Sequence, residues 1–92
     1  MEVQHDRQQR RFYVAPDDGE AEAELTYTQR DGVLDLGHTY VPPAHRGRGI
    51  ADRMARRAFE YAREEGYAVV PSCPYVRDTF LERHPEFRDI VK

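Results

Sequence analysis

Two glycines set among arginines, in the run Val41, Pro42, Pro43, Ala44, His45, Arg46, Gly47, Arg48, Gly49, Ile50, Ala51, stand where a strand ends and a helix begins. The first four N–H groups of a helix have no partner within it, and they lie at the positive end of its dipole. Glycine lets the preceding peptide units turn their own N–H groups the same way, and it leaves room for an anion to touch the backbone. Such a junction suits a phosphate or a diphosphate. Arg46 and Arg48 carry planar forks that match phosphate oxygens; the alternative is a pair of solvated loop residues.

Two further side chains are equipped for reaction chemistry. Cys73 follows an apolar run and precedes Pro74, which places it at or next to a helix N-cap, where the dipole favours thiolate over thiol. It reads either as a nucleophile or as a small buried core residue. His38 lies three residues before the end of the strand that leads into the glycine loop. An imidazole there suits a general base, taking a proton from an amine or from Cys73. The competing reading is a hydrogen-bonded core histidine beside Leu36 and Tyr40. His45 reads as a surface loop residue, and His84, before Pro85, as a helix C-cap.

The elements that must position these groups follow from periodicity. Residues 1–9 form a polar lead, expected to be mobile. Strands are expected over Arg10–Ala15, over Glu20–Gln29 with Ala21, Ala23, Leu25 and Tyr27 on one face, and over Val33–Val41. Asp31-Gly32 is a two-residue hairpin signal. In the third strand strict alternation puts Leu34, Leu36, His38 and Tyr40 together. A helix is expected from Ile50 to Glu65, with Ile50, Met54, Ala58 and Ala62 recurring at i+4, Ala51, Ala55 and Phe59 widening the stripe, and Gly66 as its stop. Its other face, Asp52, Arg53, Arg56, Arg57, Glu60 and Arg63–Glu65, reads as solvated, with Asp52 and Arg56 one turn apart for an ion pair. Tyr67–Pro71 is a short continuous apolar run, the pattern of a strand covered on both sides. A second helix runs from Pro74 to about His84. The order is β-β-β-α-β-α, an α/β domain with a mixed sheet in which the strands flanking the first helix are parallel.

Composition narrows the partners. Ninety-two residues make one domain, and a formal charge of −3 with 34% charged residues lacks the basic field of a general nucleic-acid binder. The polar start does not look like a signal peptide, and no apolar run approaches the roughly 20 residues that span a bilayer, so a cytoplasmic protein is expected, without a membrane partner. One cysteine gives no intrachain disulfide and no cysteine cluster for zinc, so no metal is expected. Asp18, Glu20, Glu22 and Glu24 form an acidic stretch that either attracts a cationic substrate or is a solvated strand face.

The pattern Arg46-x-x-Gly49-x-Ala51 at a strand-to-helix junction resembles the acyl-CoA pyrophosphate loop of the GNAT acetyltransferase superfamily. HTYVPPAHRGRGIA followed by PSCPYVRDTFLERHPEF is similar to the small stand-alone GNAT-like domains, and the resemblance spans His38–Val91. It implies acetyl-CoA or another acyl-CoA as cofactor, with the pyrophosphate on Arg46, Gly47, Arg48, Gly49, Ile50 and Ala51 and the pantetheine arm along the strand ending at Val41. It favours Arg46 as the motif residue, a functional Cys73, and a base at His38. It also sets Phe80 where many larger members carry a tyrosine near the CoA sulfur, and offers no counterpart of their glutamate base. Tyr75 is then either a proton donor to the departing thiolate or a packing residue.

The function these readings imply is transfer of an acetyl group from acetyl-CoA to an amine. Either the amine attacks directly, with His38 as base and backbone N–H groups near Val41 holding the developing oxyanion, or Cys73 is acylated first. The rival reading is a CoA-binding or protein-interaction module without catalysis.

Overall fold

Asp31 and Gly32 both take positive φ, 52° and 76°, the backbone that a tight two-residue hairpin turn demands. That turn joins β3 (Ala23–Arg30) to β4 (Val33–Tyr40), the two longest strands. The computed structural model describes residues 2–17, 19 and 21–92. β2 (Arg11–Val14) pairs antiparallel with β3, and β1 (Gln4–Asp6) pairs antiparallel with β2. After the helix α1 (Ile50–Glu65), β5 (Ala68–Val70) joins β4 in parallel, completing a five-stranded sheet in the order β1-β2-β3-β4-β5.

α1 has the boundaries its apolar period dictates. Gly49 at its N-cap and Gly66 at its C-cap are both left-handed, with φ of 76° and 74°, which only glycine adopts at little cost. Ile50, Met54, Ala55, Ala58, Phe59 and Ala62 are buried against the sheet, joined by Tyr61. A π-helical segment, Tyr75–Phe80, follows β5, and Leu81 N–H donates to the Val76 carbonyl five residues back. It continues into the short helix α2 (Leu81–Arg83) and a 3₁₀ segment, Pro85–Ile90. Phe80 stacks on Phe59 at 5.2 Å between ring centroids, and Phe87 lies 5.3 Å from Phe59, which fixes this segment to α1 on the same side of the sheet.

Four expectations need correction. Residues 4–6 of the polar lead form an edge strand, because its inward residue is not aliphatic. His5 stacks on Phe12 at 4.0 Å, meets Tyr61 edge-on, and shares a 2.6 Å hydrogen bond with the Tyr27 hydroxyl. β3 starts at Ala23, Ala21 being exposed, and Asp18 and Glu20 lie outside the described residues. β5 is not covered on both sides: Val69 is buried, Ala68 and Val70 only half so. Its edge is capped instead by Val91, which bridges Val69, and by Lys92 N–H donating to the Val69 carbonyl.

The fourth correction concerns β4. Tyr27 pairs with Leu36, but Thr26 pairs with His38, so Gly37 is an extra residue on β4. Such a bulge inverts the alternation beyond it. Leu34 and Leu36 face α1; His38 and Tyr40 turn to the outer face, and Thr39 takes the inward place opposite Leu25. His38 is therefore exposed and does not sit among leucines.

Among the described residues no helix is long and apolar enough to cross a membrane.

Candidate active site

β4 and β5 pair only over Val33–Asp35 and Ala68–Val70. One further bond, from Cys73 N–H to the Leu36 carbonyl at 2.8 Å, holds the segment after β5 to β4, and beyond it no backbone hydrogen bond joins the two among the described residues. The bulge at Gly37 bends β4 at this same level. The end of this pairing leaves a wedge between β4 and the segment that follows β5, where Val41 and Tyr75 line one cavity with the start of α1.

At the mouth of the wedge the chain turns through a 3₁₀ segment, Pro43–His45, into the glycine loop. Gly47 and Gly49 have φ of 82° and 76°, and apart from their chain neighbours no described atom lies within 4 Å of where a side chain on either would begin. The first intrahelical bond runs from Arg53 N–H to the Gly49 carbonyl, and no N-cap side chain occupies the end of the helix. The N–H groups of Ile50, Ala51 and Asp52 thus open toward the loop. Arg46 spends part of its fork on the chain itself: Nε donates to the Val41 carbonyl at 2.8 Å and clamps the turn.

This loop walls a cavity of about 210 Å³. Val41, Arg46, Gly47, Gly49, Ile50 and Ala51, six of the seven residues singled out for the loop, line it; Arg48 is exposed and outside the lining. Asp52, Tyr75, Arg83 and His45 complete the lining. His45 is not a surface residue: it is 5% exposed, because the diproline turn folds it back beneath the loop.

Asp52 would oppose an anion at this helix end, yet it is engaged elsewhere. His84 Nε2 stands 2.6 Å from its carboxylate, and Arg56 Nη2 stands 3.0 Å from His84 Nδ1. An arginine N–H only donates, so Nδ1 accepts and Nε2 carries the proton given to Asp52. The anticipated Asp52–Arg56 pair is thus relayed through His84, which ties the last helical turns to the first turn of α1.

Cys73 is 5% exposed and sits just before the helical segment, its carbonyl accepting from Arg77 N–H. Its Sγ lies 3.3 Å from Thr39 Oγ1. Thr39 faces inward and His38 outward, so the sheet separates His38 from Cys73, and a proton transfer between them has no direct route. Phe80 is fully buried in the core and lines no part of the cavity. The hydroxyl at this site belongs to Tyr75. Burial, then the negative charge of Asp52 and the proximity of Cys73, push its phenol above the ordinary tyrosine value, Arg83 working the other way. It is held protonated, as a donor must be.

Sequence reasoning left Tyr75 between proton donor and packing residue, and did not bring Thr39 to Cys73 or Asp52 and Arg83 to the loop. A glycine alone inside a strand pattern was the available signal for Thr39, since it marks a bulge. Nothing in the spacing announces Asp52 or Arg83, which meet across more than thirty residues of chain.

A family model described as GCN5-related N-acetyl-transferase matches residues 11–90. Protein NATD1 of Mus musculus is 38% identical over 86 residues, covering 92% of this chain and 77% of the relative. Protein NATD1 of Danio rerio is 33% identical over 93 residues, covering 99% of this chain and 84% of the relative. The solution structure of a GCN5-like protein from Staphylococcus aureus superposes with a TM-score of 0.69 at 24% identity, over 99% of this chain and 87% of that one, a likeness of fold. The chain belongs to the GCN5-related N-acetyltransferase family.

Proposed function

We propose that this chain is an acyl-CoA-dependent transferase that moves an acetyl group from acetyl-CoA to an amine. The observation that carries the proposal is the cavity at the N-terminus of α1, where two left-handed glycines and uncapped helix N–H groups meet the open end of the wedge. These groups fit a diphosphate, and a wedge along Val41 suits a slender chain running from it toward Thr39 and Cys73. Acetyl-CoA would supply an acyl group activated as a thioester.

The residues divide the remaining work. Backbone N–H groups of Gly47–Ala51 hold the diphosphate, and Arg46 keeps the turn closed through the Val41 carbonyl. Tyr75 holds a proton at its hydroxyl for the thiolate that departs. His38 on the outer face receives the proton of an amine that enters from that side through the gap beside β4, before its nitrogen reaches the wedge. Separation of His38 from Cys73 favours direct attack, with Cys73 and Thr39 lining the wedge, over a route that first acylates Cys73.

The test is release of free CoA from acetyl-CoA across a panel of amines, followed chromatographically, with His38→Ala, Tyr75→Phe and Cys73→Ala beside the parent. Amine-dependent release that falls in the first two variants supports the proposal. An acetylated Cys73 peptide formed from acetyl-CoA alone would replace direct attack with the two-step route. Acetyl-CoA binding without release for any amine would make the chain a binding module.

A further inference from the structure

Gly49 caps α1 without a side chain, and Asp52, the third residue of the helix, is the acid of its first turn. The helix dipole draws a carboxylate at that position back over the N-cap, where it closes the turn by accepting from the N–H groups. Asp52 is spent elsewhere: both of its oxygens face His84 Nε2, at 2.6 Å and 2.9 Å. The helix start thus stays open although an acid suited to closing it stands within the same turn.

His84 is fixed on several sides. Its N–H donates to the Phe80 carbonyl at 2.9 Å and its carbonyl accepts from Phe87 N–H at 3.2 Å, which pins it at the joint between α2 and the 3₁₀ segment. Its ring lies 4.6 Å from that of Phe80. Arg56 Nη2, one turn along α1 from Asp52, donates to Nδ1 at 3.0 Å, whereas Glu86 Oε2 at 3.7 Å is too far for a hydrogen bond. The arginine therefore sets the tautomer, and the tautomer holds the carboxylate. Arg56 alone, at i+4 on the helix surface, would hold Asp52 only loosely. With side chains 17% and 24% exposed, His84 and Asp52 are sheltered enough for their bond to compete with water.

His84 itself lines no part of the cavity. We propose that His84 is a positioning residue of the acyl-CoA site: by holding Asp52 through its Nε2 proton, it keeps a negative charge off the N–H groups of Gly49–Ala51 and leaves them to the diphosphate. The inference rests on the transferase reading above and adds to it a residue that acts without touching the ligand. With His84 removed, Asp52 becomes the cap its position favours, and an arriving anion has to displace it.

Calorimetric titrations of the full chain with acetyl-CoA at low salt compare the parent, His84→Ala, His84→Gln, Asp52→Asn and the double variant His84→Ala/Asp52→Asn. His84→Ala should bind about tenfold or more weakly, as a unit charge released beside the anion implies. His84→Gln, whose amide N–H reaches the place of Nε2, should recover most of that affinity. In the Asp52→Asn background His84→Ala should cost less than about twofold, because no charge is left to hold. A loss that persists in that background makes His84 a packing residue, and an unchanged affinity in His84→Ala leaves it no role; either overturns the inference, while binding by the parent keeps the transferase reading standing. No binding by the parent overturns both. Should His84→Ala not fold, side-chain ¹⁵N spectra of the parent decide: the His84 proton should sit on Nε2 with and without acetyl-CoA, and a proton found on Nδ1 alone, or lost from Nε2 on binding, overturns the inference.

Discussion

Replacing Gly49 by aspartate should separate helix stability from anion binding. Gly49 is the N-cap of α1, with φ of 76°. A non-glycine residue in the left-handed region costs about 1–2 kcal/mol, less for aspartate and asparagine. Against this, an aspartate N-cap improves on the glycine it replaces by only a few tenths of a kcal/mol. Apart from its chain neighbours no described atom lies within 4 Å of the new Cβ, so the variant should lose about 1 kcal/mol and melt only a few degrees below the parent. Its carboxylate then occupies the nest proposed for a diphosphate. Two unit charges about 4 Å apart repel by about 1 kcal/mol in water and about 4 kcal/mol at an effective dielectric of 20. For this exposed loop about 2 kcal/mol is reasonable, a loss of about thirtyfold in affinity. Calorimetric titration with acetyl-CoA should show that loss in Gly49→Asp, a much smaller one in Gly49→Asn, and a narrowing of the gap in 0.5 M salt, about where the Debye length falls to a few ångström. If Gly49→Asp binds as well as the parent, or Gly49→Asn loses as much, the loop does not act through backbone N–H groups and charge.

Tyr75→Phe should lower turnover by about a hundredfold or more if the phenol is the proton donor, while acetyl-CoA affinity by calorimetry changes little. Equal losses in both would assign Tyr75 to binding. His5 should make the fold sensitive to acid: burial chiefly, then Arg7 and Arg57, hold its imidazole below the usual value of 6.5, with Asp6 opposing. The unfolded chain therefore binds the proton more readily, and stability, full above about pH 6.5, should fall as pH drops through that value toward the lowered folded one. Thermal melts from pH 7.5 to 5 should show the decline in the parent and a flatter profile in His5→Phe; the same slope in both would exclude His5 as its source. Phe80→Ala should cost about 3–5 kcal/mol by urea denaturation, since Phe80 is fully buried between Phe59 and Phe87. A cost below 1 kcal/mol would contradict the packing.

Helix α1 was legible to the residue because its stripe, its glycine caps and its charged face all agree, and the β3–β4 hairpin because Asp31-Gly32 has few other uses. Cavity and loop were legible for the same reason: a strand, two glycines and a helix start can hardly be joined without pointing N–H groups at one spot. β1 was not, since its inward residue is a histidine and a period of two in polar residues carries no burial signal. The groups facing the loop were not, because Asp52, Tyr75 and Arg83 come together only once Phe80 and Phe87 have packed on Phe59.

The bulge at Gly37 governs more of the chemistry than its single residue suggests. Without it, His38 would lie among Leu34, Leu36 and Cys73, and the natural mechanism would be an imidazole drawing a proton from a thiol. With it, the same strand sends Thr39 inward to Cys73 and His38 outward to Thr26. One side of β4 then faces Cys73 and the wedge, and the other presents an exposed imidazole. Removing Gly37 should therefore do more than shorten a strand. It would restore strict alternation, drive His38 toward the core and Thr39 out of it, and part Thr39 from Cys73. Loss of cooperative unfolding on deletion of Gly37, with Gly37→Ala still folded since no atom lies within 4 Å of the added carbon, would show that the extra residue itself, and not glycine's flexibility, sets which face each group serves.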